Sequence, residues 1–370
     1  MDPTKLANFN DFLHELRTNE LATLRGRAAI LLSAGCSGTW YFDWVRQCIG
    51  PSLRTHIGVE AYSRKPDSLP PEAHWIDNPI QDMHDVSDGH ADLVFAGQTV
   101  EHLWPAEFVG FLREAHRVLR PGGLLVLDSP NRELTLPMSW YHPEHTMEFT
   151  VPEIRELVGL AGFQVTSLRG VWLCRERGSI MRLDPLPEPP EWEGRVDAAR
   201  LRAEDSFVWW LEASREDRAP DIEELQRRVE EVYARTRPQD LARVFHGAGS
   251  SAVDGAVRYQ ESRSGEQGYL AYGPYAPFPP GVYVANFYIR TNAPRTSSLP
   301  ACTMDIAEQC GEHVIASYQL KCSEVGQSWE RWRVGFRFTT VRFGVEFRLF
   351  ATGAMPLSVK VPIEVTEQPQ

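Results

Sequence analysis

The chain has 370 residues, a formal net charge of −12 and 42% hydrophobic residues. This length exceeds what one hydrophobic core usually serves, so two domains are expected. The acidic balance argues against DNA or RNA as the main partner, because binding a polyanion requires a basic face.

The distribution of charge and the cysteines set further limits. Residues 246–370 hold 11 basic and 11 acidic residues, so the negative excess belongs to the rest of the chain. The six cysteines are scattered without Cys-x-x-Cys spacing, which predicts neither a zinc site nor a disulfide framework and favours a reducing cytoplasm. No apolar run is long enough for a membrane span, and the first residues lack the basic-then-apolar layout of a signal peptide.

The first predicted strand and its loop lie within residues 30–39. Apolar residues at helical spacing predict a lead-in helix within residues 1–29. The run from Ile30 to Ala34 is typical of a buried parallel strand, and it breaks into the small-residue loop Gly35-Cys36-Ser37-Gly38. A helix follows from Trp40. This arrangement lets the backbone approach a nucleotide-like ligand at a helix N-terminus, although Gly-x-x-Gly also occurs in ordinary strand–helix turns.

Four further strands alternate with helical segments up to residue 128. The second strand ends in Glu60, whose carboxylate can accept both hydroxyls of a ribose; a helix cap or an exposed loop acid is the alternative. Strands are also predicted at 73–77, 91–97 and 124–128, with an amphipathic helix after Pro105. This alternation predicts an α/β fold with a doubly wound, mostly parallel sheet covered on both faces.

Five segments of this region resemble class I S-adenosylmethionine-dependent methyltransferases, the broad family of small-molecule, quinone and sugar methylases. They are Gly35-Cys36-Ser37-Gly38, Glu60, Asp82-Met83, Asp92-Leu93-Val94 running to Glu101-His102-Leu103, and Arg117-Val118-Leu119-Arg120-Pro121-Gly122-Gly123. The resemblance covers residues 25–170 and continues in outline to 215. It implies a seven-stranded Rossmann-like sheet whose antiparallel seventh strand lies near 206–213. The chain departs from the family at Ser33, where an acid is usual, and at Ser37, where a glycine is common.

The resemblance implies S-adenosyl-L-methionine as the cofactor. Carried over by position, the loop residues Gly35, Cys36, Ser37 and Gly38 would pack against its methionyl and ribose parts. Glu60 would hold the ribose hydroxyls, and Gln98 would line the methyl-bearing side. Asp82 would lie near the adenine amino group, with the Met83 backbone beside the ring.

Three histidines are candidates for a catalytic base. If the acceptor is a hydroxyl, a nearby base helps to remove its proton. His142 and His145 follow the fifth strand, in the segment that borders the acceptor in this family, and His102 lies just beyond the fourth strand. A packing or capping role is the alternative for each. The spacing of His142 and His145, with Glu144 and Glu148, invites a metal interpretation, but a loop without an ordered ligand set predicts no metal site.

The last third of the chain changes to a period of two. Residues 220–244 predict a solvated connecting helix. Beyond it, strands are predicted at Gly268–Tyr272, Val282–Arg290, Thr303–Ala307, His313–Leu320, Arg331–Phe338, Val345–Ala351 and Val359–Val365. Seven short strands without a helical pattern favour an all-β sandwich of jelly-roll type. The predicted domains are therefore residues 1–218 and 246–370, joined by a helical linker at 219–245.

The sandwich resembles carbohydrate-binding modules, more loosely than the first domain resembles methyltransferases. Tyr272, Tyr275 and Trp329 are candidates for stacking on sugar rings, unless they fill the sandwich core or a domain seam. The leading hypothesis is therefore O-methylation of a sugar, a glycan or another small hydroxyl acceptor presented by the sandwich. One alternative is a small-molecule methyltransferase whose sandwich mediates self-association. The other, suggested by Ser33, is a glycan-binding protein that binds the cofactor without turning it over.

Overall fold

The computed structural model describes residues 9–140, 142, 145–181, 183, 191–236, 244–294, 297–308 and 311–368. The chain divides into two compact units, Met1–Val232 and Tyr233–Gln370. Within the described residues, no helix has both the length and the hydropathy that a bilayer crossing requires.

The first unit combines a twisted sheet with helices that precede and follow its strands. Its strands are β1 (Ile30–Ala34), β2 (Thr55–Val59), β3 (Ala73–Ile76), β4 (Ala91–Gly97), β5 (Leu119–Pro130), β6 (Phe163–Gly170), β7 (Arg175–Glu176), β8 (Ser179–Ile180) and β9 (Val208–Arg215). The helices, the last of which continues into the second unit, are α1 (Phe9–Ala22), α2 (Gly38–Ile49), α3 (Pro105–Val118), α4 (Arg132–Thr135), α5 (Val151–Leu160), α6 (Glu191–Leu201) and α7 (Ile222–Thr236). Single helical turns occur at Val100–His102 and Ala203–Asp205.

The main sheet has the strand order β3-β2-β1-β4-β5-β9-β6. Strands β1 to β5 pair in parallel, whereas β9 is antiparallel to both β5 and β6. The prediction of a doubly wound, seven-stranded sheet with an antiparallel last strand near 206–213 is confirmed. The strand order reverses between β1 and β4, and open α/β sheets bind ligands beyond the carboxyl ends of the strands at such a point.

Helix α3 shows how local sequence fixes an element beside this edge. Pro105 occupies the first turn, where its missing N–H costs nothing, and the Glu107 carboxylate accepts the Trp104 N–H at 2.7 Å. The apolar stripe that includes Phe108 and Phe111 is fully buried. The helix ends at Val118, and β5 begins at the next residue, five residues earlier than predicted.

The connecting helix predicted after residue 220 is present as α7, but it is not solvated all round. Leu225 and Val229 are fully buried. On the polar side, Arg228 Nε lies 2.8 Å from Glu156 Oε1 of α5, so the helix is tied to the first unit. One apolar stripe among many charges is what packing against a core requires. Residues 237–243 of the predicted linker lie outside the described residues.

The second unit is a β-sandwich. Its described strands are β10 (Ser250–Asp254), β11 (Val257–Ser262), β12 (Gly268–Ala271), β13 (Pro274–Phe278), β14 (Gly281–Arg290), β15 (Pro300–Glu308), β16 (His313–Lys321), β17 (Glu330–Phe338), β18 (Arg342–Ala351), β19 (Leu357–Lys360) and β20 (Glu364–Gln368). One sheet runs β10-β11-β19-β14-β17 with β20 also paired to β14; the other runs β12-β18-β15-β16 with β13 paired to β18. The buried core combines residues of both sheets, such as Phe287 and Val359 of the first with Met304 and Leu349 of the second.

The predicted sandwich is confirmed, with more strands than the alternation indicated. The pattern at 359–365 is divided into β19 and β20 around Pro362, because proline lacks the N–H that a continuous ladder needs. Strands β10, β11 and β13 have irregular alternation and were not predicted.

The aromatic residues predicted to bind sugars are only half exposed. Tyr272 and Tyr275 lie against Phe245, with ring centroids 5.5 and 6.0 Å apart. The Arg290 guanidinium covers the Trp329 ring at 4.4 Å from the centroid. These rings therefore already have neighbours within the second unit.

Candidate active site

The loops after β1 and β4 meet at the point where the strand order reverses. Gly35 has a φ of +82°, and a Cβ added there would lie 2.8 Å from Thr99 Oγ1. Thr99 in turn donates a hydrogen bond to the Ala34 carbonyl at 3.3 Å. Only glycine combines this left-handed backbone with this close approach. The local geometry therefore requires glycine at position 35, while its contact with the cofactor stays a prediction.

The remaining loop residues present backbone rather than side-chain chemistry. The Cys36 side chain is buried, and burial together with the Glu60 carboxylate raises the pKa of its thiol to about 12. Ser37 precedes α2, but its hydroxyl makes no capping hydrogen bond to that helix. Gly38 begins α2 with a φ of +68°, so the first turn of the helix lies directly beside the loop. A thiol kept protonated is not a nucleophile, so Cys36 has no nucleophilic role here.

Glu60 is held in place by three backbone donors. Its Oε2 accepts the Cys36 N–H at 3.3 Å, and its Oε1 accepts the Tyr62 and Ser63 N–H groups at 2.6 and 2.8 Å. A carboxylate has about four acceptor positions, so about one remains for a ligand. Glu60 thus joins the loop after β1 to the bend after β2 and orders the backbone beside which a ribose would lie.

Gln98 follows β4 in a left-handed conformation that is costly for a residue with a Cβ. Its φ is +53°, its backbone N–H donates to the Asp128 carbonyl at 2.9 Å, and its Nε2 donates to Asp128 Oδ2 at 2.8 Å. Asp128 is fully buried and also accepts Arg17 Nε at 2.5 Å. Strain of this kind persists where the surroundings hold it in place, which Asp128 does here.

His102, His142 and His145, hereafter the histidine cluster, are brought together. The ring centroids of His142 and His145 lie 4.4 Å apart and stacked, and the His102 ring lies 4.9 Å from that of His145. Two backbone bonds hold the arrangement, since the Thr146 and Met147 N–H groups donate to the Glu101 carbonyl at 2.7 and 2.9 Å. Glu144, named in the sequence-based argument, lies outside the described residues.

His145 has a carboxylate partner that fixes its ring. His145 Nδ1 lies 2.7 Å from Glu148 Oε1, and the Thr135 hydroxyl donates to the other oxygen of Glu148. A carboxylate on Nδ1 favours the tautomer that carries its proton there, which makes Nε2 the acceptor nitrogen of the ring. This is the arrangement of a general base.

Glu101 lies beneath the histidine cluster and is fully buried. Burial raises the pKa of this carboxyl to about 8, with a further contribution from the Asp128 charge. The nearby Ser129 hydroxyl and Arg17 oppose the rise, but each makes its hydrogen bond elsewhere, to the Pro130 carbonyl and to Asp128 respectively. Within the described residues neither oxygen of Glu101 meets a hydrogen-bond donor of suitable geometry.

Comparison with known proteins identifies the domain that carries this site. A family model described as "Methyltransferase domain" matches residues 32–127. A Mycolicibacterium smegmatis protein named "Probable S-adenosylmethionine-dependent methyltransferase" is 39% identical over 133 residues, which cover 32% of this chain and 51% of that protein. A Mycobacterium tuberculosis protein with the same designation is 30% identical over 205 residues, covering 50% of this chain and 72% of that one.

The chain belongs to the S-adenosylmethionine-dependent methyltransferases. It spans about half the length of the first relative and more than two thirds of the second. A solved methyltransferase from Archaeoglobus fulgidus aligns with a TM-score of 0.39 and 15% identity, over 56% of this chain and 95% of that one. S-adenosyl-L-methionine is the cofactor of the family, and the cofactor prediction is confirmed.

The predicted adenine residues of this methyltransferase are less well placed than the rest. The Asp82 side chain is 62% exposed and lies 3.1 Å from His84 Nδ1. The Met83 N–H donates to Glu114 Oε2 at 2.9 Å, and its carbonyl accepts Arg117 Nη2 at 2.9 Å. The backbone groups of Met83 are therefore already engaged, and these contacts give no sign of an adenine subsite.

Asp77 is a second acid at this edge of the sheet, and the sequence contained a signal for it. Val59 pairs with Ile76, so Glu60 and Asp77 are equivalent residues that follow neighbouring parallel strands. Both are acids placed directly after a predicted strand. Sequence reasoning also gave no role to Glu101 or Asp128, although Glu101 lies in a matched segment and Asp128 ended a predicted strand.

Ser33, where the family usually has an acid, takes part in a buried neutral pair of this methyltransferase. Its hydroxyl lies 2.8 Å from His56 Nε2, and both residues are buried. Burial lowers the pKa of His56 to about 3, so the pair is uncharged at neutral pH. Ser33 thus serves the packing between β1 and β2.

We expect this pair to make stability depend on pH. Because the folded pKa of His56 lies below the unfolded value of about 6.5, its contribution is complete above pH 6.5 and is lost as the pH falls below it. The free energy of unfolding should fall by up to about 1.4 kcal/mol per pH unit between pH 6 and 4 from this group alone. Chemical unfolding of the wild type and of His56→Gln across this range measures the difference. The exposed His74, replaced by Gln, should leave the slope unchanged; an unchanged slope in His56→Gln would contradict the assignment.

Proposed function

We propose that the protein transfers the methyl group of S-adenosylmethionine to a hydroxyl of a sugar or glycan. A sulfonium methyl is already activated, so the protein mainly holds the acceptor oxygen, the methyl carbon and the sulfur in line. The observation that carries the choice of a hydroxyl acceptor is the His145–Glu148 pair within the histidine cluster. A hydroxyl must lose its proton as it is methylated, and an oriented imidazole accepts that proton near neutral pH.

Each part of the cofactor is assigned to residues that follow strands of the main sheet. Gly35, Cys36, Ser37 and Gly38 supply backbone to the methionyl and ribose parts, Glu60 accepts from the ribose, and Gln98 lines the methyl-bearing side. For the adenine end we propose Asp77, because it flanks Glu60 across the parallel register. Asp82 and Met83 are the rival assignment, and the two are separated by substitution.

The sandwich is proposed to bind the acceptor through the outer face of its larger sheet. Tyr259 is opposite Lys360 in the β11–β19 pair, and Tyr288 is opposite Arg331 in the β14–β17 pair. The Lys360 ammonium lies 4.8 Å from the Tyr288 ring centroid, and Arg331 and Arg333 are exposed. We call these five residues the basic–aromatic face. Its charge suits a glycan that carries carboxylate or phosphate groups, while the tyrosine rings suit sugar C–H faces.

Turnover tests the proposal directly. The full chain is incubated with S-adenosylmethionine labelled in its methyl group and a panel of neutral and acidic sugars and glycans, and product is detected by mass. We expect transfer to a hydroxyl, and a loss of about 100-fold or more in kcat for His145→Ala, the scale of general-base catalysis. The matched control is His313→Ala, which removes an imidazole with the same 2.7 Å carboxylate contact in the second unit. Equal activity of His145→Ala and wild type would refute the base assignment.

The turnover assay, combined with a glycan array and light scattering, separates two other candidate functions. Transfer to small hydroxyl compounds, with no binding on a glycan array and a stable dimer in light scattering, would favour a sandwich that mediates assembly. Tight cofactor binding without S-adenosylhomocysteine product across the panel would favour a glycan-binding protein without activity. Cytoplasmic residence is proposed as well, since the five described cysteines are buried free thiols, as in a reducing compartment.

A further inference from the structure

We propose that Glu101, His102 and His145 bind one divalent transition-metal ion of the Zn²⁺ type. One carboxylate oxygen and one ring nitrogen from each histidine lie within 4.8 Å of one another. Tetrahedral bonds of about 2.1 Å place ligand atoms about 3.4 Å apart. Side-chain rotations that move the three ligand atoms by about 1 Å would therefore bring them to bonding positions around one ion. Two histidines and a glutamate, with a fourth position open, form one of the ligand sets used in catalytic zinc sites.

The carboxylate of Glu101 is the first independent reason for a cation here. It is fully buried, and neither oxygen has a hydrogen-bond partner within the described residues. The charge of Arg17 acts on Glu101, but Arg17 Nε donates its hydrogen bond to Asp128 Oδ2 at 2.5 Å. Burying a carboxylate without a partner is costly, and a bound cation removes that cost.

The second reason is the support behind His145. Glu148 holds His145 Nδ1 at 2.7 Å, which leaves Nε2 as the ligand atom, and the Thr135 hydroxyl holds Glu148 in turn. A carboxylate behind a metal-bound imidazole is a recurrent feature of zinc sites, because it fixes the ring and raises its basicity. His102 and His145 are both partly exposed, so an ion can enter from solvent.

The ligand type selects the class of metal. Imidazole with one carboxylate suits Zn²⁺, Fe²⁺, Co²⁺ or Mn²⁺ better than Mg²⁺, which prefers oxygen ligands. With the metal bound, His145 would be a ligand and not the base, because one lone pair cannot serve both. The open position would accept an acceptor hydroxyl and acidify it, and His142 would be the remaining base of the cluster. This last consequence rests on the proposed function, but the binding of the metal does not.

Metal binding to the full chain, with any affinity tag removed, tests the inference without cofactor or acceptor. Protein stripped with a chelator is dialysed against Zn²⁺, the bound metal is counted by mass spectrometry, and affinity is measured by competition calorimetry. We expect one Zn²⁺ per chain and a rise in Kd of about 100-fold or more for both Glu101→Gln and His102→Ala. Glu148→Gln should raise Kd by about 10-fold, since it removes only the support of a ligand.

The control is His313→Ala, whose His–Glu contact has the same length but no third ligand within the described residues. It should bind one Zn²⁺ with unchanged affinity. Failure of the wild type to retain stoichiometric metal, or equal affinity of wild type, Glu101→Gln and His102→Ala, overturns the inference. If Glu101→Gln does not fold, the His102→Ala variant, which replaces a partly exposed residue, still tests the inference. Methyl transfer by metal-free protein would refute only the catalytic use of the metal, whereas metal binding without any transfer would refute only the proposed function.

Discussion

Glu60→Ala is expected to weaken the binding of S-adenosylmethionine by about 100-fold, measured by calorimetry. The carboxylate joins the loop after β1 to the bend after β2 through the Cys36, Tyr62 and Ser63 N–H groups. Its removal leaves those donors without their acceptor and takes away the ribose contact. Hydrogen bonds to a charged group contribute about 1.5–3 kcal/mol each, and about 3 kcal/mol corresponds to about 100-fold in Kd.

Two further variants serve as the comparison for Glu60. Asp77→Ala should weaken cofactor binding by about 10-fold, the effect of one charged hydrogen bond, whereas the exposed Asp82→Ala should change Kd by less than about twofold. The opposite ranking would restore Asp82 as the adenine residue. An unchanged Kd in Glu60→Ala would place the cofactor elsewhere and remove the basis of the whole site.

Asp128→Ala is expected to cost about 3–5 kcal/mol of the stability of the first unit. Asp128 is fully buried, accepts Arg17 Nε at 2.5 Å and Nη2 at 3.1 Å, and also accepts Gln98 Nε2. Burial acts to lower the pKa of Arg17 and the Asp128 charge raises it. Arginine is not deprotonated in proteins, so the guanidinium stays charged when its partner is removed. The alanine variant therefore leaves a largely buried cation unpaired and frees the strained backbone of Gln98.

Denaturant unfolding monitored by tryptophan fluorescence, with a separate transition fitted for each compact unit, measures this cost. The double variant Arg17→Met with Asp128→Leu should recover most of it, because replacing both partners by apolar groups removes the unpaired charge. Glu224→Gln breaks a solvent-accessible pair with Arg227 and should leave the unfolding midpoint unchanged. If Asp128→Ala unfolds at the wild-type midpoint, the pair does not support the end of β4.

The sheet could be predicted because its signals are local. The buried strands are short apolar runs, and helices α2, α3 and α5 each have an apolar stripe and a glycine or proline at an end, as at Pro105. The order of the strands came from resemblance, since periodicity alone does not say which strand pairs with which. Where the backbone was irregular, as at Pro362 and in β13, the period of two was broken and strand bounds were predicted less well.

For the site residues too, local signals in the sequence were informative and the other features were not. The places of Gly35 and Glu60 directly after a strand could be predicted, because the chain itself brings such residues to the carboxyl edge of the sheet; their cofactor contacts stay predictions. Asp82 was assigned from its place in a matched segment, but the loop that carries it turns the carboxylate towards solvent and engages the Met83 backbone with α3. Asp77 was within reach of the same strand-end rule that identified Glu60.

By itself, the sequence determined the two kinds of architecture, the small-residue loop after β1 and the acid after β2, because these depend on neighbours along the chain. Only the tertiary structure decided that His102 meets His145, that Glu148 holds its ring, and that Glu101 lies buried beneath them without a hydrogen-bond donor among the described residues. These residues come from segments more than 40 positions apart, joined by the Thr146 and Met147 hydrogen bonds to Glu101. Contacts at that separation leave no periodic trace, since they are selected by packing between loops rather than by the repeat of a helix or strand.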